Sequence, residues 1–156
     1  KLKESIEDII HEWNQMALKE YKTNVKLKFG AKKYLEVLKS MGIKIGLATS
    51  NSSLLLETAL KANEIYQYFD VITRTDEVPR GKQFPDVYLL TAQRLGVNPK
   101  ECIVFEDILP AVIGAKSAGM KVIGIHDDYS NYQKEEIINI ADKYVYKYSE
   151  LIEKAI

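Results

Sequence analysis

Beyond Gly42 the hydrophobic period switches back and forth between strand-like and helix-like, and this alternation limits the chain to few architectures. Residues 43–48 (IKIGLA) form a short, largely apolar run that reads as a buried strand, closed by the polar cluster Thr49-Ser50-Asn51-Ser52-Ser53. Residues 54–62 have helical spacing, 71–73 are strand-like, and a helix is expected over 86–95, with Pro85 at its first position and Gly96 closing it. Strand 102–105, helix 111–118 ended by Gly119, strand 121–125 and strand 144–146 complete the rhythm. Strands alternating with helices predict an α/β fold whose mostly parallel sheet is wrapped by helices, with any site at the carboxyl ends of the strands.

Upstream, Ile6, Ile9, Ile10, Trp13, Met16 and Ala17 recur at three- and four-residue spacing among charges, predicting an amphipathic helix over residues 3–21 whose stripe needs a partner. His11 and Trp13 read as face and stripe of that helix. A non-periodic stretch, 23–28, leads to Gly30 and a second helix with Ala31, Tyr34, Leu35 and Leu38 on one face.

The 22 basic residues balance the 22 acidic ones, and no Lys/Arg cluster exceeds a pair. This argues against a nucleic-acid or anionic-membrane partner. Every apolar run is short and interrupted, so no membrane span is expected. The single Cys102 fits a reducing compartment, the expected location being the cytoplasm, and reads as an inert core thiol. Two distant histidines without suitably spaced Cys or His partners give no support to a zinc site.

The polar residues just after each apolar run carry the chemistry. Thr49, Ser50 and Asn51 place hydroxyls and backbone N–H groups at the mouth of a helix, where an anion such as phosphate is favoured; Ser52 and Ser53 read as helix caps. Lys82 alone reads as a solvated lysine. Glu106-Asp107 is more telling, because adjacent carboxylates at the end of a buried strand repel unless a cation sits there, and such oxygen donors suit Mg²⁺. A helix cap would explain Asp107 but not Glu106. His126-Asp127-Asp128 opens a polar loop running to Lys134 and reads as a turn.

Taken in order, these blocks resemble the haloacid dehalogenase superfamily, specifically its helical-cap phosphatases and β-phosphoglucomutase-like members. The matching segments are IKIGLATSN with Thr49, DEVPRGKQFPDVYLLTAQRLGV with Lys82, and ECIVFEDILPAVIGAKSAGM with Glu106 and Asp107. The resemblance implies a Rossmann-like three-layer sandwich and Mg²⁺-dependent phosphoryl transfer to a small phosphorylated metabolite through an aspartyl-phosphate, as phosphatase or phosphomutase. It implies that Thr49, with Ser50 and Asn51, binds the phosphoryl group, that Lys82 neutralises it, and that Glu106 and Asp107 hold Mg²⁺. Residues 1–23 resemble the last helix of the family's cap, 24–29 its return hinge, and 30–156 the α/β core.

One departure matters most. The family's nucleophile and its acid/base are the aspartates of an Asp-x-Asp motif after the first strand, and no Asp-x-Asp precedes Ile43. The central first strand, the nucleophile and most of the cap are therefore expected outside these 156 residues, and the chain alone is expected to be inactive. Without that strand, two interior sheet edges would be open. Without the other cap helices, the stripe through Ile6, Ile10 and Trp13 would be exposed or buried by self-association. A non-catalytic module retaining an anion or Mg²⁺ site is the alternative. A phosphoacceptor receiver domain fits poorly, because its acids come first and its lysine last.

Overall fold

The computed structural model describes residues 5–152; the expected helix start at residue 3 lies outside them. Helix α1 (Ile6–Thr23) begins at Ser5, whose hydroxyl accepts from the Asp8 N–H at 3.1 Å while the Asp8 carboxylate accepts from the Ser5 N–H and hydroxyl. This reciprocal cap satisfies donors that the first turn leaves open. α1 packs against α3 (Ser53–Ala62) yet buries no residue fully, and its apolar stripe stays open, with Ile6 76%, Trp13 63% and Met16 62% exposed.

After α2 (Ala31–Ser40) come β1 (Gly46–Thr49), α3, β2 (Val71–Arg74), α4 (Asp86–Leu95), β3 (Ile103–Glu106), α5 (Leu109–Ser117), β4 (Lys121–Ile125), α6 (Lys134–Ile140), β5 (Lys143–Val145) and α7 (Ser149–Ile152). The α/β alternation is as expected from sequence. The first strand starts later than its apolar run because the chain is still in the turn after α2 at Ile43, whose N–H donates to Leu38 O. Residues 127–134 read from sequence as a polar loop, and α6 starts where that loop ends, in a stretch for which the sequence reading gives no element; it is held by the fully buried Ile137. Only two of that short helix's apolar residues lie near one face, too few for a periodic signal.

All strand pairs are parallel, and among the described residues they form two sheets, β1-β2 and β3-β4-β5. Among the described residues β1 pairs only with β2, and β3 only with β4, so each has an edge left open by them. The period of two along each strand sorts the core into layers. Ala48, Val104, Val122 and Tyr144 face a cluster built on Val87, Tyr88, Val112, Ala115 and Ile137 of α4, α5 and α6. Leu47 and Ile72 face Leu56 and Leu60 of α3, with Leu35 of α2; Phe105, Ile123, Ile125 and Val145 face Tyr34 of α2 and Leu151 of α7. Both sheets therefore lie between the same two layers of helices.

Each sheet is also tied at its entrance by an aspartate. Asp70, just before β2, accepts the Ile45 N–H at 2.7 Å and pairs with Lys39; Asp142, just before β5, accepts the Val122 N–H at 2.7 Å and pairs with Lys116. For Asp70 the lysine is the larger cause and for Asp142 the backbone N–H, and both carboxyls are held below the usual range. A depressed folded-state pKa gives stability that is present above the unfolded value and lost as pH falls through the folded one. Urea denaturation across pH 5 to 2 should show stability falling with acid, and the double variant Asp70→Asn/Asp142→Asn should flatten that slope. Ile137→Ala should cost about 3 kcal/mol in urea denaturation, against about 0.5 kcal/mol or less for Ile138→Ala on the open face.

Candidate active site

Glu106 is the last residue of β3, and its side chain is only 9% exposed. Lys82 Nζ lies 2.5 Å from its Oε1, and the Tyr88 hydroxyl 3.0 Å. Burial pushes the Glu106 carboxyl above the ordinary range, with Lys82 and Tyr88 pulling against it. Burial first, and then the Glu106 charge, drives the Tyr88 phenol strongly upward, so it stays a neutral donor.

The lysine reaches Glu106 because of a close backbone approach. It sits in the turn before α4, closed by Phe84 N–H donating to Gly81 O, and this turn lies directly on Gly114 of α5. A Cβ at Gly114 would stand 2.8 Å from the Phe84 carbonyl oxygen and closer still to that of Lys82. Tyr88, on the first turn of α4, completes the arrangement, its hydroxyl also 3.0 Å from Ala111 O.

Asp107 follows Glu106 and is about one third exposed. It does not cap α5, whose N-cap is Ile108 without a side-chain cap bond. Its Oδ2 lies 3.3 Å from Lys28 Nζ, and its carbonyl accepts from the Ser130 hydroxyl at 2.6 Å. Lys28 also pairs with Asp127 and donates to the His126 carbonyl at 3.1 Å. Asp127, held below its usual range chiefly by Lys28, accepts from the Tyr129 N–H at 2.9 Å as well. The segment read from sequence as a turn is thus both a turn and an anchor for Lys28 beside the site. A pocket of about 100 Å³ opens here, lined by Lys28, Phe105, Glu106, Asp107, Ile125 and Tyr148. A larger one of about 200 Å³ lies elsewhere, around Ser53, Tyr66, Arg74 and Glu77. There Arg74 is engaged with Ser53 and Asp76, and Glu77 with Arg94.

Thr49 ends β1, on the smaller sheet, and Ser50 and Asn51 follow it. Thr49 Oγ1 accepts from the Asn51 N–H at 3.0 Å, Asn51 Oδ1 from the Ser52 N–H at 3.0 Å, and Ser52 Oγ from the Leu55 N–H at 3.4 Å, which caps α3. Among the described residues no hydrogen bond or ion pair joins this group to Lys82, Glu106 or Asp107. Lys82 and Glu106 meet directly, and Asp107 adjoins them through the chain. Lys28, Tyr88 and Asp127 were not among the expected site residues: a lysine in a connecting segment and a tyrosine on an apolar helix face carry no signal of their own, whereas the acid pair Asp127-Asp128 after a strand was one.

For a metal, Glu106 and Asp107 offer hard oxygen donors, and Mg²⁺ commonly takes one or two carboxylates with water or phosphate completing its shell. Among the described residues no three His, Cys, Asp or Glu side chains converge as a fuller cage. The pair fits Mg²⁺ as a partial ligand set, with Asp107 the more accessible member.

The family model described as haloacid dehalogenase-like hydrolase matches residues 1–125. A phosphorylated-carbohydrates phosphatase of Thermotoga maritima is 36% identical over 126 residues, 79% of this chain and 57% of that protein. A bifunctional riboflavin kinase/FMN phosphatase of Arabidopsis thaliana is 38% identical over 97 residues, 62% of this chain and 26% of that protein. The chain thus spans well under two thirds of either relative. Among solved structures, CbbY from Rhodobacter sphaeroides in complex with phosphate superposes with a TM-score of 0.83 at 27% identity, covering 96% of this chain and 67% of that one. A β-phosphoglucomutase from Clostridium difficile gives 0.74 at 26% identity, covering 97% and 68%.

Gly114→Ala should push the Lys82 turn off α5, cost about 1–3 kcal/mol by overpacking, and lengthen the Lys82 to Glu106 contact in a crystal structure.

Proposed function

We propose, for a chain that belongs to the haloacid dehalogenase-like hydrolases, that it forms the core of a Mg²⁺-dependent phosphatase or phosphomutase acting on a small phosphorylated metabolite. The observation that carries this is the Lys82–Glu106 pair at 2.5 Å, at the carboxyl end of β3 and next to Asp107. A lysine, two acids and a hydroxyl-rich helix mouth on parallel strands are what positioning and electrostatic stabilisation of a transferring phosphoryl group require. Relatives named as phosphatases of phosphorylated carbohydrates and of FMN support the substrate class.

In this reading Lys82 neutralises the phosphoryl oxygens while Glu106 and Tyr88 hold its ammonium in place. The Thr49 hydroxyl and the backbone N–H groups of Ser50 and Asn51 donate to the same oxygens from the other sheet. Glu106 and Asp107 would hold Mg²⁺, which, bound, offsets the negative charge of the phosphoryl group. The open edges of β1 and β3 leave room for a strand bearing the nucleophilic aspartate. On attack its carboxylate oxygen bonds to phosphorus, the bond to the leaving oxygen breaks, and a second acid protonates that oxygen; water, or an acceptor hydroxyl in a mutase, then takes the phosphoryl group. Residues 1–23 would be a cap helix, 24–29 the hinge and 30–156 the core, the open α1 stripe being covered by cap helices or a second copy. These 156 residues alone should lack turnover. Among the described residues no helix is long and apolar enough to cross a membrane.

The test is hydrolysis of p-nitrophenyl phosphate by the full natural protein. Turnover should require Mg²⁺ and fall about 10²–10³-fold in kcat for Asp107→Asn, with melting temperature nearly unchanged because Asp107 is not buried. Unchanged Mg²⁺ dependence in that variant would remove Asp107 from the metal site.

A further inference from the structure

Lys28 projects from the segment between α1 and α2 to residues nearly a hundred positions away. Its backbone is fixed nearby: Phe29 O accepts from the Tyr148 N–H at 3.1 Å, and Gly30, at φ +83°, lies so close to α7 that a Cβ would be 2.7 Å from Ser149 N. The side chain is thus delivered from a pinned base to the mouth of the pocket. There it meets Asp107 and Asp127 together, with side-chain exposures of 32% for the lysine, 34% for Asp107 and 27% for Asp127.

The charges around the pocket are three carboxylates, Glu106, Asp107 and Asp127, against two ammoniums, Lys28 and Lys82. Lys28 therefore holds, beside Asp107, a position of positive charge that a divalent cation would have to displace. Lys82 is committed to the buried Glu106, whereas Lys28 pairs with carboxylates that are both partly in water. Lys28 is therefore the cation that can leave.

We propose that Lys28 is a built-in counter-cation of this site: its ammonium stands beside Asp107 where a divalent cation must bind, and it must swing away from Asp107, keeping its existing pair with Asp127, before Asp107 can serve as a ligand. The proposal rests on the reading of Asp107 as a cation ligand. It gives the segment between α1 and α2 a role in setting cation affinity, because the ammonium is tethered there.

Mn²⁺ titration of the full chain, followed by the electron paramagnetic resonance signal of the free ion, tests this without any activity readout. Lys28→Met should tighten Mn²⁺ binding about tenfold, and Lys28→Arg, which keeps the charge, should stay within about twofold of the parent. Asp127→Asn should weaken binding, since it leaves Asp107 as the lysine's only carboxylate; it also keeps the test decisive if the methionine variant folds poorly. Adding Asp107→Asn to Lys28→Met should abolish the gain. Unchanged or weaker binding in Lys28→Met, with Asp107→Asn still abolishing it, would overturn the counter-cation role and leave the ligand role standing. Binding indifferent to Asp107→Asn would overturn both.

Discussion

Glu106 is a carboxylate held nine-tenths out of water at the end of a strand, and a buried charge of this kind is tolerated only when it is paired and hydrogen-bonded. Much of the surrounding structure is that compensation. α4 sets Tyr88 against it from one direction, and the turn before α4 brings Lys82 from another. The turn can come that close only because α5 has Gly114 beneath it. Three separate elements are thereby fixed around one oxygen, so a lysine with four flexible carbons is held at a defined point.

The same compensation has a chemical consequence. An ammonium held by a buried carboxylate is an oriented positive charge with little need to reorganise when a second anion arrives. Asp107, one residue on and much more exposed, is free to exchange partners. Adjacent positions thus do different work, one fixing Lys82 from a buried position and the other pairing with Lys28 at the mouth of the pocket.

The architecture supports this arrangement through two parallel sheets set between shared helical layers, each tied at its entrance by an aspartate that accepts a neighbouring strand's N–H. The open edges of β1 and β3 belong to the strands that end at Thr49 and Glu106. Backbone donors and acceptors in such edges call for a partner.

By itself the sequence determined the alternation of strands and helices, because periods of two and of three to four residues report directly on which faces are buried. It also marked Thr49, Glu106 and Asp107, since polar residues closing apolar runs fall at strand ends in a parallel sheet, whereas Lys82 stood out only through the family resemblance. It could not reveal α6, where a single buried Ile137 replaces a periodic stripe, nor the roles of Lys28, Tyr88 and Asp127. Which lysine faces which carboxylate depends on contacts between residues far apart in sequence, up to 99 positions for Lys28 and Asp127, set by how helices stack on sheets and where a missing Cβ permits close approach. Local pattern carries no record of such distances, so only the tertiary structure could decide that Lys82 is held by Glu106 while Lys28 lies between Asp107 and Asp127.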